Sequence, residues 1–170
     1  MNREFTTKTT CPLCESELTL YWTSEEIPYF GEVMYLTSQC QCGHRYTDVF
    51  SLTEKKPARY EFHAESQSDL NVRVIRSNRG IIKLPELGIT IDPGTTSESF
   101  ISNIEGVLKR VQKVLQMLLR DEEKRERAEE LLNQIDEIYK NVKLTVIIDD
   151  PTGNSAILSK NTKKTLLTSE

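Results

Sequence analysis

Long apolar stretches are missing from this 170-residue chain, and no run approaches the roughly 18 residues that would suggest a membrane span. No charged segment followed by an apolar one opens it, so a reducing, cytoplasmic setting is expected. A block rich in lysine or arginine is also absent, and the formal net charge is −4. Such a chain is poorly equipped to neutralise phosphates, which argues against nucleic acid as a partner despite the short cysteine pairs described below. Neither a G-x-S-x-G elbow nor a G-x-x-x-x-G-K phosphate loop occurs. Histidine is scarce, with only His44 and His63. A facial iron site needs two histidines and a carboxylate on one scaffold, and His44 sits beside a cysteine pair, so that site cannot be assembled further along the chain. These absences predict a protein that is not an enzyme.

Cysteine is sparse but organised. The four residues form Cys11-Pro-Leu-Cys14 and Cys40-Gln-Cys42-Gly43, with 25 residues between the pairs. Two short knuckles closed by one loop suit a tetrahedral zinc ion, which takes four thiolates at about 2.3 Å. No cysteine is left over, which favours metal over a disulfide framework. Four thiolates fill the coordination sphere and leave no open position for an activated water, so one structural zinc per chain is expected on Cys11, Cys14, Cys40 and Cys42. His44 is an alternative ligand. The second knuckle is C-x-C, one residue shorter than the first.

Periodicity divides what surrounds and follows the knuckles. Residues 1–10 read as a loose, threonine-rich lead-in. Leu18–Trp22, Val33–Leu36 and Tyr46–Leu52 are rich in β-formers and predict a zinc ribbon over residues 1–52. A junction follows around Thr53–Pro57. Short strand signals then recur at Arg59–Ala64, Asn71–Ser77, Ile81–Leu84 and Gly88–Ile91, the last closed by Asp92-Pro93-Gly94. They predict a sandwich or jelly-roll-like β domain over residues 58–158. His63 alternates with Phe62 and reads as a surface or edge residue.

The period then changes. Thr95 and Glu98 read as a capping box opening a helix. Ile101, Ile104, Leu108, Val111, Leu115 and Leu118 follow at helical spacing. The charged run Arg120–Arg127 interrupts them, and Ala128, Leu131, Ile135 and Ile138 make a second stripe. A helical hairpin inserted at about 96–140 buries both stripes; one long helix is the competing arrangement. Leu144–Ile148 reads as a buried central strand. The turn Asp149-Asp150-Pro151-Thr152-Gly153-Asn154 is either turn chemistry alone or a rigid acidic tip that docks on a partner. Residues 159–170 read as a flexible tail. The overall expectation is a mainly β, α+β chain.

In order, these pieces resemble the ZPR-type zinc-finger family over nearly the whole chain. The carrying motifs are the first knuckle, Ile27-Pro28-Tyr29-Phe30-Gly31-Glu32-Val33, the second knuckle, Ser68-Asp69-Leu70-Asn71 leading to Ser77, Leu84-Pro85-Glu86-Leu87, Ile104-Glu105-Gly106, and Asp149–Ser155. Any one is weak; the ordered series is specific. Two departures stand out: the short second knuckle, and Val72 where the family usually places arginine, with Arg73 next. The chain holds one module, as archaeal members do, whereas eukaryotic members look like tandem repeats. The resemblance implies a zinc ribbon followed by a double-stranded β-helix carrying a helical hairpin. It also implies a protein partner, a translation elongation factor 1A-type GTPase, with the chain serving as its folding chaperone or binding factor. Tyr29 and Phe30 on the ribbon, and Asp149, Asp150, Thr152 and Asn154 at the turn, are the candidate contact residues. A zinc-ribbon nucleic-acid- or ribosome-associated factor is the alternative.

Overall fold

The computed structural model describes residues 3–27, 31–53, 55–94 and 99–168. Among these residues twelve strands form three antiparallel sheets, joined by one helical hairpin. The first sheet is the ribbon, with strands in the order β1 (Arg3–Thr10), β2 (Glu17–Ile27), β3 (Gly31–Gln39) and β4 (Arg45–Ser51). The lead-in is therefore not loose. Its eight described residues pair with β2 from Arg3↔Ser24 to Thr10↔Glu17, with Phe5 stacked on Trp22 at 5.7 Å between ring centroids. Threonine-rich segments suit a pleated, half-solvated surface, and β2 supplies the template.

The β domain holds the other two sheets. One has the order β12-β5-β10-β7-β8, from β5 (Ala58–Ala64), β7 (Ile81–Leu84), β8 (Ile89–Ile91), β10 (Leu144–Asp150) and β12 (Lys163–Leu166). The smaller has the order β11-β6-β9, from β6 (Arg73–Arg76), β9 (Phe100–Asn103) and β11 (Ala156–Leu158). Strand β10 is central, flanked by β5 and β7, which is where an unbroken apolar run is expected. Phe62, Val74, Ile82, Leu84, Val146 and Ile148 are almost completely buried in the shared core. The expected flexible tail is corrected: Lys163–Leu166 adds strand β12 along β5, although its side chains stay exposed. Sequence alone misses it because backbone pairing at an edge requires no apolar side chain.

The helical insertion runs between β9 and β10 as a hairpin of α1 (Ile104–Leu118) and α2 (Arg125–Lys140). The single long helix is excluded by a turn at Leu119–Lys124. Glycine and proline are unnecessary there because Asp121 satisfies the loose donors: its backbone oxygen accepts from Lys124 N and Arg125 N, and its Oδ1 from Glu123 N. The hairpin begins later than expected. Thr95 and Glu98 lie outside the described residues, Ile101 sits in strand β9 and is 47% exposed, and Asn103 caps α1 by accepting from Gly106 N at 2.8 Å. Ile104, Leu108, Val111 and Leu115 face the core with Val107, opposite Ala128, Leu131, Ile135 and Ile138.

The ribbon packs against the β domain. Val33 is buried in the main core, and Ile27, Tyr35 and Val49 pack against it. The turn after β10 reinforces this contact. Gly153 adopts φ +66°, and a Cβ there would run into the carbonyl of Lys56 in the inter-domain junction. Gly153→Ala therefore adds a left-handed backbone penalty to a clash with main chain, and is expected to lose about 2 kcal/mol of stability in urea unfolding. Gly94→Ala, with open space around its Cβ position, serves as the unperturbed control.

Candidate zinc centre and the polar turn

The two knuckles converge. All four sulfurs lie within 4.8 Å of one another, with Cys11 Sγ 3.8 Å from Cys42 Sγ and Cys14 Sγ 3.5 Å from Cys40 Sγ. Tetrahedral zinc with bonds of about 2.3 Å places its sulfurs about 3.8 Å apart, so the donor set fits one ion. The short C-x-C knuckle reaches the site because its chain reverses tightly. Cys40 N donates to His44 O at 2.7 Å, Gly43 N donates to Cys40 O at 3.0 Å, and Gly43 takes φ +92°. His44 contributes backbone to this turn and does not join the ligand cluster. Glu15 makes the corresponding positive-φ bend after the first knuckle.

Electrostatics supports the same assignment. Cys40 is held down to about 6, first by the Ser16 hydroxyl and then by the Cys42 N–H. Cys14 is lowered too, chiefly by Ser16, whose Oγ lies 3.0 Å from its sulfur. Cys42 is pushed up to about 12: the His44 N–H, the largest influence, lowers it, but the Cys40 and Cys14 sulfurs outweigh it. Four sulfurs this close carry four negative charges only when a cation neutralises them. Cys11, Leu18 and Cys40, with Leu20 against them, make up a very small local core. Metal is the main source of stability at that end of the ribbon.

The second predicted site is built differently from the expectation. Asp149 and Asp150 do not form an acidic tip; both are buried within β10, at 8% and 0% exposure. Asp149 lies opposite Arg59 and accepts from its Nε at 2.6 Å and its Nη2 at 2.8 Å, while Lys83 Nζ donates at 2.9 Å. Asp150 has four side-chain contacts. Its Oδ1 accepts from Thr152 N and Thr152 Oγ1, and its Oδ2 from Ser77 Oγ and Ser155 Oγ. Two motifs more than seventy residues apart in sequence, ending at Ser77 and Ser155, thus meet on one carboxylate. The signal available beforehand was a charged pair continuing an apolar strand, which turn chemistry explained too easily.

Beyond the carboxylates, Thr152 and Asn154 line a cavity of about 150 Å³ between the ribbon and the β domain, together with Ile27, Val33, Phe50 and Phe100. Asn154 Oδ1 is buried there with no partner among the described residues. Tyr29 and Phe30 lie outside the described residues. His63 is exposed, as expected, beside Thr145 and Glu61. No described helix is long and apolar enough to cross a membrane.

A closed four-thiolate ribbon packed on a jelly roll with a helical insertion defines a zinc-binding module whose metal serves structure. Family profiles agree: the ZPR1 zinc-finger domain matches residues 5–56 and the ZPR1 jelly-roll domain residues 68–169. The chain belongs to the ZPR1 family. It is 44% identical to a ZPR1-like protein of Pyrococcus horikoshii, over 94% of this chain and 76% of that protein. Identity to a ZPR1-like protein of Methanocaldococcus jannaschii is 41%, over 94% and 84% respectively. The zinc finger chaperone zpr1 of Schizosaccharomyces pombe is 32% identical over 79% of this chain, but only 30% of its own length is covered.

Two outcomes check this description. Zinc content is expected near one per chain, and Cys42→Ser should abolish it together with the dispersed amide signals of the ribbon, leaving those of α1 and α2. The acid limb of stability should report the two aspartates. Arg59 first, then Lys83, holds Asp149 below the usual carboxylate range. At Asp150 burial is the largest influence and opposes ionisation, but the hydroxyls of Ser155, Ser77 and Thr152 outweigh it and keep the group low. A depressed folded value means stability complete above the unfolded value of about 3.9 and lost as pH falls through the folded one. Asp150→Asn is expected to flatten that limb below about pH 4 and to lose on the order of 2 kcal/mol at pH 7, measured by urea unfolding across pH.

Proposed function

We propose that this chain is a non-enzymatic binding protein that holds a translation elongation factor 1A-type GTPase, as its folding chaperone or binding factor, in the cytoplasm. The observation that carries the reading is the cleft between ribbon and β domain. It presents apolar walls, the Thr152 side chain and an unpartnered Asn154 carbonyl, which is the composition of a protein-recognition site. Tyr29 and Phe30 follow Ile27, which lines that cleft, and are proposed as aromatic anchors. Membership of a family that includes a protein named as a zinc finger chaperone supports the reading. The metal contributes by keeping the knuckle end of the ribbon folded, while Val33 and its neighbours hold the other end against the β domain.

The nucleic-acid alternative draws little from the same surface. Residues 1–53 carry three basic side chains, Arg3, Lys8 and Arg45, against seven carboxylates. Lys8 is moreover paired with Glu17. A ribbon of this charge repels a phosphate backbone.

Calorimetric titration of the zinc-loaded chain against the elongation factor, nucleotide-free and with GTP or GDP, tests the proposal. Binding in at least one state is expected, weakened about tenfold by Asn154→Ala with zinc content unchanged. Absence of binding in all three states overturns it.

A further inference from the structure

Arg76 is buried without a matching charge among the described residues. It ends strand β6 at 6% exposure, the one basic side chain among the described residues buried to that degree. Its Nε donates to Gly80 O at 2.7 Å, but Nη2 is enclosed and has no hydrogen-bond partner among the described residues. A second cation stands close by. The guanidinium carbon of Arg110, on α1, lies 4.3 Å from the centroid of the Phe100 ring, and that of Arg76 lies 5.8 Å from the same centroid. Neither arginine forms an ion pair with a carboxylate among the described residues. Asp150 acts on Arg76 only at a distance, because its oxygens are taken up by Thr152, Ser77 and Ser155.

Two guanidinium groups brought together on one ring, one of them desolvated, are unfavourable without an anion. Burial, then the charge of Arg110, pulls Arg76 below its ordinary value. The surroundings define what kind of anion fits. Both arginines line a groove of about 580 Å³ whose other walls are largely aliphatic, including Ile91 on β8 and Val111 and Val114 on α1. Val114 is 56% exposed. A bare phosphate would satisfy the cations and leave those walls wet. A carboxylate on an aliphatic chain satisfies both, since guanidinium groups bind carboxylates through charge-assisted hydrogen bonds while the chain covers apolar surface.

We infer that the groove between β8, β9 and α1 is a peptide site that captures a carboxylate, with Arg76 and Arg110 as its anion clamp and Ile91, Val111 and Val114 as the seat for the aliphatic residues beside it. The inference rests on the protein-binding reading above and supplies a chemistry for the partner: an acidic group flanked by aliphatic residues. The groove adjoins the Asn154 cleft, and Arg76, Ser99 and Phe100 line both.

The test uses the full zinc-loaded chain and the tripeptide acetyl-Leu-Leu-Leu, with a free C-terminal carboxylate or as its C-terminal amide. Calorimetry and amide chemical shifts are read together. The acid is expected to bind at least about tenfold more tightly than the amide, with shifts clustering on β8 and α1. Arg76→Gln should remove the preference for acid over amide. Arg110→Gln, at an exposed position that does not endanger folding, should weaken the acid about tenfold and leave the amide unchanged. Equal affinity for acid and amide, no binding at millimolar peptide, or an acid affinity unaltered by both variants overturns the site. Inorganic phosphate binding as tightly as the peptide acid overturns the aliphatic seat. A peptide that fails while the elongation factor still binds removes the groove alone. A peptide that binds while the elongation factor does not removes the GTPase alone.

Discussion

A carboxylate with no exposed surface must have its oxygens satisfied inside the protein, and at Asp150 this requirement organises the β domain. One oxygen shapes the turn that follows, through the backbone and hydroxyl of Thr152. The other joins Ser77, just past the end of β6 in the smaller sheet, to Ser155, just before β11. The central strand of one sheet is thereby anchored to two strands of the other. The turn so held brings Gly153 against the Lys56 carbonyl and sets Thr152 and Asn154 at the edge of the ribbon cleft. Rigidity of the loop, placement of the ribbon and shape of the cleft have a common origin in one buried charge.

Zinc performs the complementary task at the other end of the ribbon. The thiol-bearing half has few apolar side chains of its own, while the half near Val33 shares the main core. Metal holds one end and hydrophobic packing the other. The shortened second knuckle suits this arrangement because hydrogen bonds between Cys40 and His44, and between Gly43 and Cys40, make the reversal that a longer knuckle would otherwise provide.

Three buried charges therefore stand in contrasting situations. Asp149 is countered by Arg59 and Lys83, and Asp150 by hydroxyl and amide donors, so both serve the fold. Arg76 has a carbonyl acceptor but, among the described residues, no countercharge of its own beside the exposed Arg110. Structural ion pairs close on themselves, whereas a desolvated cation in the wall of a groove, without such a pair, suits a group from outside.

The amino-acid order by itself determined the elements whose cause is local. Cysteine spacing defined the zinc donor set, since thiolate chemistry depends on residue type and reach. Stripes of aliphatic residues defined the two helices, and the Leu144–Ile148 run defined a central strand, because burial on a regular period leaves a regular trace. What depended on distant partners was decided only in three dimensions. Strands β1 and β12 are polar and exist because β2 and β5 offer backbone to pair with. The start of α1 at Ile104 rather than near Thr95 follows from Ile101 being drawn into pairing with Ile75. Asp149 and Asp150 read as a turn from their neighbours and became interior anchors because Arg59, Lys83, Ser77 and Ser155 arrive from elsewhere in the chain. The meeting of Arg76, Arg110 and Phe100 likewise carries no local signature, since tertiary packing alone brings β6, β9 and α1 together.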